Sequence, residues 1–214
     1  MCLALFAALA ALAAPAVPPT VDLAQEADLQ FRLGLRAYQA RDLDEALEHL
    51  LASNRLAPNA NVVFNLGRVH EARKDLPSAW RFYDQYVRIE TDRERRREAE
   101  DAIVRIEPAI GRVRVVSDPP GAAVYLERVE LGSRGVTPFT LAVPPGPHRL
   151  VIVAAGADSG DAPAVREVDV SAGELAELVV PVGAAGQPAP GAPWVAAAVT
   201  AEGQPLVRLD DVRC

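Results

Sequence analysis

The chain has few of the side chains from which enzymes build metal and nucleophile sites. Its 214 residues include only two cysteines and three histidines. The histidines, His49, His70 and His148, fall in three different predicted elements and lack the spacing of metal ligands. Cleavage of the N-terminal segment that carries Cys2 would leave Cys214 as the only thiol, so no intramolecular disulfide could form. We therefore expect no metal site and no cofactor.

The serines and short polar loops also lack a catalytic pattern. Four serines fall in predicted turns without the flanking residues of a nucleophile elbow: Ser117, Ser133, Ser159 and Ser171. Residues 132–135 lack the lysine and the following helix of a phosphate-binding loop, which favours a hairpin loop. Residues 158–161 hold two carboxylates, which favours a surface loop over a calcium site. The sequence therefore predicts that the protein is not an enzyme.

Positive charge and aromatic side chains are also scarce. The formal net charge is −7, with a pI near 5.0, and the cluster Arg93, Arg95, Arg96 and Arg97 is interleaved with acidic residues as on a solvated helix face. Because nucleic-acid affinity rests mainly on cations that neutralise phosphates, we expect no nucleic-acid partner. Aromatic residues make up 5 % of the chain, so we expect a core of Leu, Val, Ile and Ala.

One long apolar run is present, at the N-terminus. Residues 1–16 are almost entirely apolar and end in small residues such as Ala11-Leu12-Ala13, as a signal peptide does before its cleavage site. The run is short for a membrane span. It also lacks the usual preceding basic residues, so retention as an N-terminal anchor is the alternative. Either way we expect an exported protein, with membrane contact only through an uncleaved leader.

Two stretches after this segment repeat each other at an offset of 33 residues. Leu33-Gly34 recurs as Leu66-Gly67, Asp42-Leu43 as Asp75-Leu76, and Ala46 as Ala79. A unit of this length is one helix pair, which must stack on a neighbour to bury its apolar face.

The apolar spacing predicts five helices. These cover residues 23–40, the stretch from Leu43 to before Pro58, residues 61–73 and 77–90, and a single capping helix from Thr91 to Ile106. The motif Thr91-Asp92-Arg93-Glu94 has the form of a capping box and predicts Thr91 as the N-cap.

This region, residues 23–107, resembles the tetratricopeptide repeat family. Leu33, Gly34, Ala46 and Pro58 match the family pattern in the first unit, and Leu66, Gly67 and Ala79 match it in the second. The resemblance implies helical hairpins that bind a protein or peptide partner on a concave face.

Helical spacing places a set of candidate binding residues on the first helix of each pair: Phe31, Leu35, Tyr38, Phe64, Asn65, Arg68 and Glu71. Aromatic and polar groups on one concave face could hold an extended peptide or a helix. The alternative is structural packing, with Phe31 and Tyr38 beneath the N-terminal segment and Phe64 against the third helical unit.

At residues 107–111 the apolar period changes from that of helices to that of strands. Six short strands are expected between residues 111 and 182, separated by Pro/Gly-rich turns, which is typical of a small sandwich or barrel. Residues 183–193 read as an Ala/Gly/Pro linker. The tail, residues 194–214, contains two strand-like runs and is either the stub of a further domain or an addition to the preceding sheet.

The strand region, residues 111–182, resembles the PEGA domain, a small extracytoplasmic β module. The matching pieces are Val115-Val116-Ser117-Asp118-Pro119-Pro120-Gly121-Ala122-Ala123-Val124-Tyr125-Leu126, Leu131-Gly132, Thr137-Pro138-Phe139 and Pro144-Pro145-Gly146-Pro147-His148. Pro120 stands where the signature has glutamate, and Glu127-Arg128 replaces the usual Asp-Gly turn. The resemblance implies location in the bacterial periplasm or cell envelope and non-catalytic binding or scaffolding.

Together these patterns predict an α+β multidomain chain with tetratricopeptide-like helical hairpins followed by a small all-β sandwich. We expect an exported, non-catalytic adaptor or scaffold that binds protein or peptide partners through the helical groove. One alternative is a carbohydrate- or peptidoglycan-associated envelope module that uses an exposed Tyr125 and His148. The other is the non-catalytic front end of a larger enzyme or sensor.

Overall fold

A computed structural model describes residues 22–156 and 163–181 of the chain, together with the backbone of 196–199. The expected leader at residues 1–16, the linker at 183–193, the loop at 158–161 and the end of the tail lie outside the described residues. The expected fold class is confirmed, since five helices precede two β-sheets.

The five helices all begin after an Asp or Asn whose side chain accepts hydrogen bonds from the first turn. They are α1 (Leu23–Gln39), α2 (Leu43–Leu56), α3 (Ala60–Ala72), α4 (Leu76–Ile89) and α5 (Arg93–Ile106). The caps are Asp22, Asp42, Asn59, Asp75 and Asp92. One expectation is wrong: the N-cap of α5 is Asp92, not Thr91, because the Asp92 carboxylate accepts from the backbone N–H groups of Glu94 and Arg95 at 2.8 and 3.1 Å.

The 33-residue repeat is a repeat of close helix contacts. A Cβ placed on Gly34 would lie 2.8 Å from Cγ of Leu50, and one on Gly67 would lie 2.7 Å from Cε1 of Tyr83. Leu50 and Tyr83 are themselves 33 residues apart. Glycine therefore lets α1 approach α2, and α3 approach α4, at the same position of each hairpin.

The turns within the two hairpins also match. Arg41 and Lys74 both adopt a φ of 66°, the left-handed conformation that closes many helices. The next residue donates its backbone N–H back into the helix at 3.0 Å, from Asp42 to the Ala37 carbonyl and from Asp75 to the His70 carbonyl. The repeated Asp then caps the following helix, so one residue closes one helix and begins the next.

The aromatic content of α4 overturns the expected composition of the helical core. Trp80, Phe82, Tyr83 and Tyr86 are all buried, with exposures of 2–6 %. They pack with Leu50, Leu66 and other apolar residues of the helices. Because several of the chain's few aromatics are placed on one helix, the core is more aromatic than the overall composition suggests.

Eight described strands form two four-stranded sheets. The strands are β1 (Gly111–Asp118), β2 (Ala123–Leu126), β3 (Gly135–Val136), β4 (Phe139–Val143), β5 (Gly146–Val153), β6 (Ala164–Val170), β7 (Leu175–Pro181) and β8 (Ala196–Val199). One sheet has the order β4-β1-β7-β8 and the other β3-β2-β5-β6. Strands β1 and β7 pair in parallel, and the other pairs are antiparallel.

Two of these strands were not among the six expected. Strand β3 lies at the end of the expected hairpin loop, where it pairs with β2. Strand β8 belongs to the tail and pairs with β7, from Leu175 opposite Val199 to Leu178 opposite Ala196. The first strand-like run of the tail thus adds to the preceding sheet, and the second lies outside the described residues.

The two sheets share one core and so form a sandwich. Residues of β1 alternate, with Val113 and Val115 fully buried and Arg112 and Arg114 turned outward. Val124 of β2 and Leu150 and Ile152 of β5 meet them from the other sheet. This alternation is the two-residue period that the sequence predicts for the region.

The helical stack and the sandwich touch through α4 and α5. Ile110 and Ala142 of β4 join the helical core. The indole N–H of Trp80 donates to Glu107, just after α5, at 3.3 Å, and Glu107 also binds the guanidinium of Arg112. These contacts hold α4 beside the outer edge of β4.

The close approach at Gly67 can be tested by adding a methyl group. Gly67→Ala should lower the free energy of unfolding by about 1–3 kcal/mol, because the overpacking against Tyr83 outweighs the better helix propensity of alanine. Urea denaturation measures the change. Asn61→Ala, at an exposed position of the same helix, is the control and should stay within about 0.5 kcal/mol of the wild type. A Gly67→Ala protein more stable than the wild type would contradict the packing.

The His70 ring provides a pH-dependent test of the second hairpin. Its Nδ1 lies 3.0 Å from Oδ2 of Asp75, and its ring stacks on Phe82 with centroids 5.2 Å apart. Burial lowers the pKa of His70 below its usual 6.5, although Asp75 partly opposes this. On lowering the pH through 6.5, the unfolded chain therefore takes up this proton first, and the folded state loses stability.

His70→Gln should therefore lose less unfolding free energy than the wild type between about pH 7.5 and pH 5.5, by up to about 1 kcal/mol. Urea denaturation at both pH values gives the difference. Asn61→Ala removes no titratable group and should retain the wild-type pH slope. An unchanged slope in His70→Gln would show that His70 does not carry the effect.

Candidate binding groove

The candidate groove lies along the helical stack and has a volume of about 470 Å³. Four of the seven predicted binding residues line it: Tyr38 of α1, and Phe64, Arg68 and Glu71 of α3. Tyr83 of α4 and Arg105 of α5 complete its lining, with Lys74, Glu98 and Asp101 at the sides. The structure thus brings together residues that are up to 67 positions apart in the sequence.

The remaining three predicted residues do not line this groove. Phe31 lines a separate depression of about 490 Å³ together with Asn59 and Arg95. Leu35 is half-buried, and the Asn65 side chain donates to the Asn61 carbonyl at 2.8 Å. The first helices therefore contribute to two surfaces, where the helical spacing predicted one.

A cation-π contact joins the first and second hairpins. The guanidinium carbon of Arg68 lies 5.2 Å from the ring centroid of Tyr38. Arg68 is exposed and Tyr38 is half-buried. Within the described part of the chain, no carboxylate lies within ion-pair distance of Arg68. Its guanidinium thus has a fixed position over a ring and keeps donors available to a ligand.

The apolar side of the groove is an aromatic cluster. The Phe64 ring centroid lies 5.6 Å from that of Tyr83 and 5.0 Å from that of Tyr86, at tilts of 55° and 47°. These distances and angles are in the range favoured by aromatic pairs. Phe64 therefore packs on α4 and still presents part of its half-buried ring to the groove.

Glu71 is held between two helices by three hydrogen bonds. The Tyr83 hydroxyl donates to Oε2 at 2.9 Å, and Arg105 donates to Oε1 from Nε and a terminal nitrogen at 3.0 and 2.8 Å. Burial raises the pKa of the Tyr83 hydroxyl, and the Glu71 carboxylate raises it further. The same carboxylate raises the pKa of Arg105. Glu71 is therefore a structural link between α3, α4 and α5.

Sequence reasoning missed Tyr83 and Arg105 as groove residues. Helical spacing places Tyr83 among the apolar residues of the fourth helix, and no local pattern relates Arg105 to Glu71, which is 34 residues earlier. The 33-residue repeat offered one signal for Tyr83. It places Tyr83 at the position equivalent to Leu50, whose side chain contacts Gly34.

The expectation of an exposed His148 is wrong. Its side chain is 12 % exposed, with Nε2 2.7 Å from the Pro144 carbonyl oxygen and Nδ1 3.2 Å from Oε1 of Glu127. His148 thus closes the turn before β5, while Tyr125 is half-buried. The pair does not form an exposed surface for a carbohydrate.

No cluster of three or more His, Cys, Asp or Glu side chains that could hold a metal ion occurs within the described ranges. None of the helices described there is long and apolar enough to cross a bilayer.

The fold defines a class: helical hairpins that pack laterally on one another, followed by a β-sandwich that packs on the fourth helix. Residues 110–181 match the PEGA domain family, which covers the whole sandwich apart from β8. PEGA domains are typically found in extracellular or periplasmic proteins, so the match indicates an envelope-associated or extracellular module. No family match confirms the tetratricopeptide resemblance of the five helices. No curated protein matches the chain.

The two residues that replace the usual Asp-Gly turn of the PEGA pattern differ in backbone conformation. Glu127 adopts a φ of 64°, which a residue with a side chain rarely does, whereas Arg128, at the glycine position, is extended with a φ of −145°. The Glu127 carboxylate lies against His148 and 3.4 Å from the backbone N of Arg149. The loss of the usual Asp-Gly turn is therefore accompanied by side-chain contacts that tie β2 to β5.

A double-mutant cycle tests the link across the groove. Glu71→Gln and Arg105→Gln should show a coupling energy of about 0.5–1 kcal/mol in urea denaturation, because Glu71 is partly shielded while Arg105 is exposed. The coupling should shrink in about 1 M NaCl. The cycle of Glu71→Gln with Arg55→Gln, an exposed arginine of α2, should show none. Equal values for the two cycles would exclude the link.

Proposed function

We propose that this chain is a non-catalytic adaptor of the bacterial envelope that binds a segment of a partner protein in the helical groove. In this proposal the chain is exported, and the PEGA sandwich is the part that belongs to the envelope environment. The typical location of PEGA domains supports the envelope location. The helical groove supports the binding of a partner segment.

The single observation that carries the proposal is the Arg68–Tyr38 pair beside the Phe64 ring. The guanidinium lies 5.2 Å from the Tyr38 ring centroid and has no ion-pair partner among the described residues. Aromatic and arginine side chains in a depression are the residues that most often dominate protein interfaces. Here all three line one groove.

The groove offers complementary contacts to a peptide. The exposed part of the Phe64 ring can cover an apolar side chain, and Arg68 can donate to a backbone carbonyl or a carboxylate of the partner. Glu71 contributes less directly, because its oxygens already accept from Tyr83 and Arg105. We expect Glu71 to hold the shape of the groove.

The absence of catalysis stays a prediction, as do the cell-wall and larger-enzyme alternatives. The cell-wall alternative has lost the side-chain pair on which it rested, because His148 is engaged in a turn. The helical groove is therefore the more specific proposal.

The test compares partners captured by the wild type and by the double variant Tyr38→Ala/Arg68→Ala. Each protein is immobilised and exposed to an envelope extract, captured proteins are identified by mass spectrometry, and the strongest one is purified for direct calorimetry. The double variant should bind that partner at least about tenfold more weakly, since both anchors are removed. Circular dichroism checks that the variant is folded.

Arg55→Gln serves as the matched control, because it removes one exposed arginine from α2 outside the groove. It should capture the same proteins with unchanged affinity. If the double variant also binds the purified partner with wild-type affinity, the groove is not the binding surface.

A further inference from the structure

A second cavity of about 410 Å³ lies where α4 meets the outer edge of β4. It shares no lining residue with the helical groove. We call it the junction cleft. Its lining comes from α4, from β1 and β4, and from the connection between β2 and β3. It therefore exists only when the helical stack and the sandwich are packed together.

The junction cleft is lined by four arginines from three parts of the fold. Arg81 and Arg88 belong to α4, Arg114 to β1, and Arg134 to the connection before β3. The only acidic residue in the lining is Asp84. Because the whole chain carries a net charge of −7, this local excess of positive charge runs against the overall composition.

Two of the four arginines are already paired with carboxylates. Arg88 donates to Asp84 from Nε at 2.9 Å, and Arg114 lies 3.6 Å from Glu177. Within the described residues, neither Arg81 nor Arg134 has a carboxylate within ion-pair distance. Their guanidinium groups keep donors available to a ligand.

Arg81 and Arg134 are also close enough to repel each other. Partial loss of hydration lowers the pKa of Arg81, the positive charge of Arg134 lowers it further, and the Asp75 carboxylate partly opposes both effects. The guanidinium carbon of Arg81 lies 4.5 Å from the ring centroid of the buried Phe82. A bound anion between the two arginines would replace repulsion with charge-assisted hydrogen bonds, which guanidinium groups form well with carboxylates.

The rest of the lining is largely apolar. Trp80, Phe139 and Leu141 contribute rings and an aliphatic side chain. Such a surface favours a ligand with an apolar part next to its charge over a bare inorganic anion.

We propose that the junction cleft binds a carboxylate attached to an apolar body, with Arg81 and Arg134 holding the carboxylate. The apolar body lies against Trp80 and Phe139. Such a group occurs both in small organic acids and at the C-terminus of a peptide that ends in an apolar residue. The proposal does not depend on the function of the helical groove.

Isothermal titration calorimetry of the full chain with four probes tests this site. The probes are phenylacetate, its neutral analogue phenylacetamide, and the peptide acetyl-Ala-Ala-Phe with a free or an amidated C-terminus. The charged members of each pair should bind, and the amides should bind at least about tenfold more weakly, because a neutral amide has a single acceptor oxygen and no negative charge to pair with the two guanidinium groups. Binding of phenylacetate alone would assign the site to small acids, and binding of the peptide acid alone would assign it to a protein terminus.

Arg81→Gln and Arg134→Gln should each weaken binding of the charged probe by about tenfold or more. Arg55→Gln removes an arginine outside both cavities and should leave it unchanged. Since Arg134 lies outside the helices and strands, Arg134→Gln keeps the test valid should Arg81→Gln unfold. Binding should also weaken as salt is raised.

Three results would overturn the proposal. These are amides that bind as tightly as the acids, inorganic phosphate that binds as tightly as phenylacetate, and wild-type affinity in a folded Arg134→Gln protein. Thermal unfolding of Arg134→Gln without ligand shows whether Arg134 serves ligand binding or supports the fold. Its unfolding temperature should equal or exceed that of the wild type, because a repulsion is removed, and a clear fall would mean that Arg134 supports the fold instead.

Discussion

The burial of aromatic side chains around α4 is the packing constraint on which both cavities depend. Tyr83 and Tyr86 are covered from α3 and α5, while Trp80 reaches Glu107 at the junction with the sandwich. Large rings exclude water only when neighbours meet them on several sides. The helix therefore has α3, α5 and β4 as neighbours, and the groove and the junction cleft lie where these neighbours do not close over it completely.

Charge is arranged differently in the two cavities. In the groove the Glu71 carboxylate is shared by Tyr83 and Arg105, so its hydrogen bonds link helices. In the junction cleft the positive charges of Arg81 and Arg134 disfavour each other, and the Asp75 carboxylate opposes this only in part. The hydrogen bonds of Glu71 account for its position without a ligand, whereas Arg81 and Arg134 have no carboxylate within ion-pair distance among the described residues. This contrast separates the structural Glu71 from the candidate ligand-binding arginines.

Much of the fold could be predicted because it rests on local signals. The period of apolar residues separates helices from strands near Gly111, and the repeated Asp residues begin α2 and α4. The capping-box spacing between Thr91 and Glu94 predicted Thr91 as the cap of α5, but the helix begins one residue later, after Asp92. Four of the seven predicted binding residues line the groove, whereas Phe31, Leu35 and Asn65 do not, since spacing assigns a helix face without saying what stands opposite it.

By itself, the sequence determined the five helices, six of the eight described strands, the hairpin repeat and the PEGA match at residues 110–181, since each depends on residues near one another in the chain. Only the tertiary structure decided that Arg105 meets Glu71, that His148 turns inward to the Pro144 carbonyl, and that Arg81 and Arg134 share a cleft. Those contacts join residues from different elements. Their positions are set by how large side chains pack between helices and sheets, which no spacing along the chain encodes.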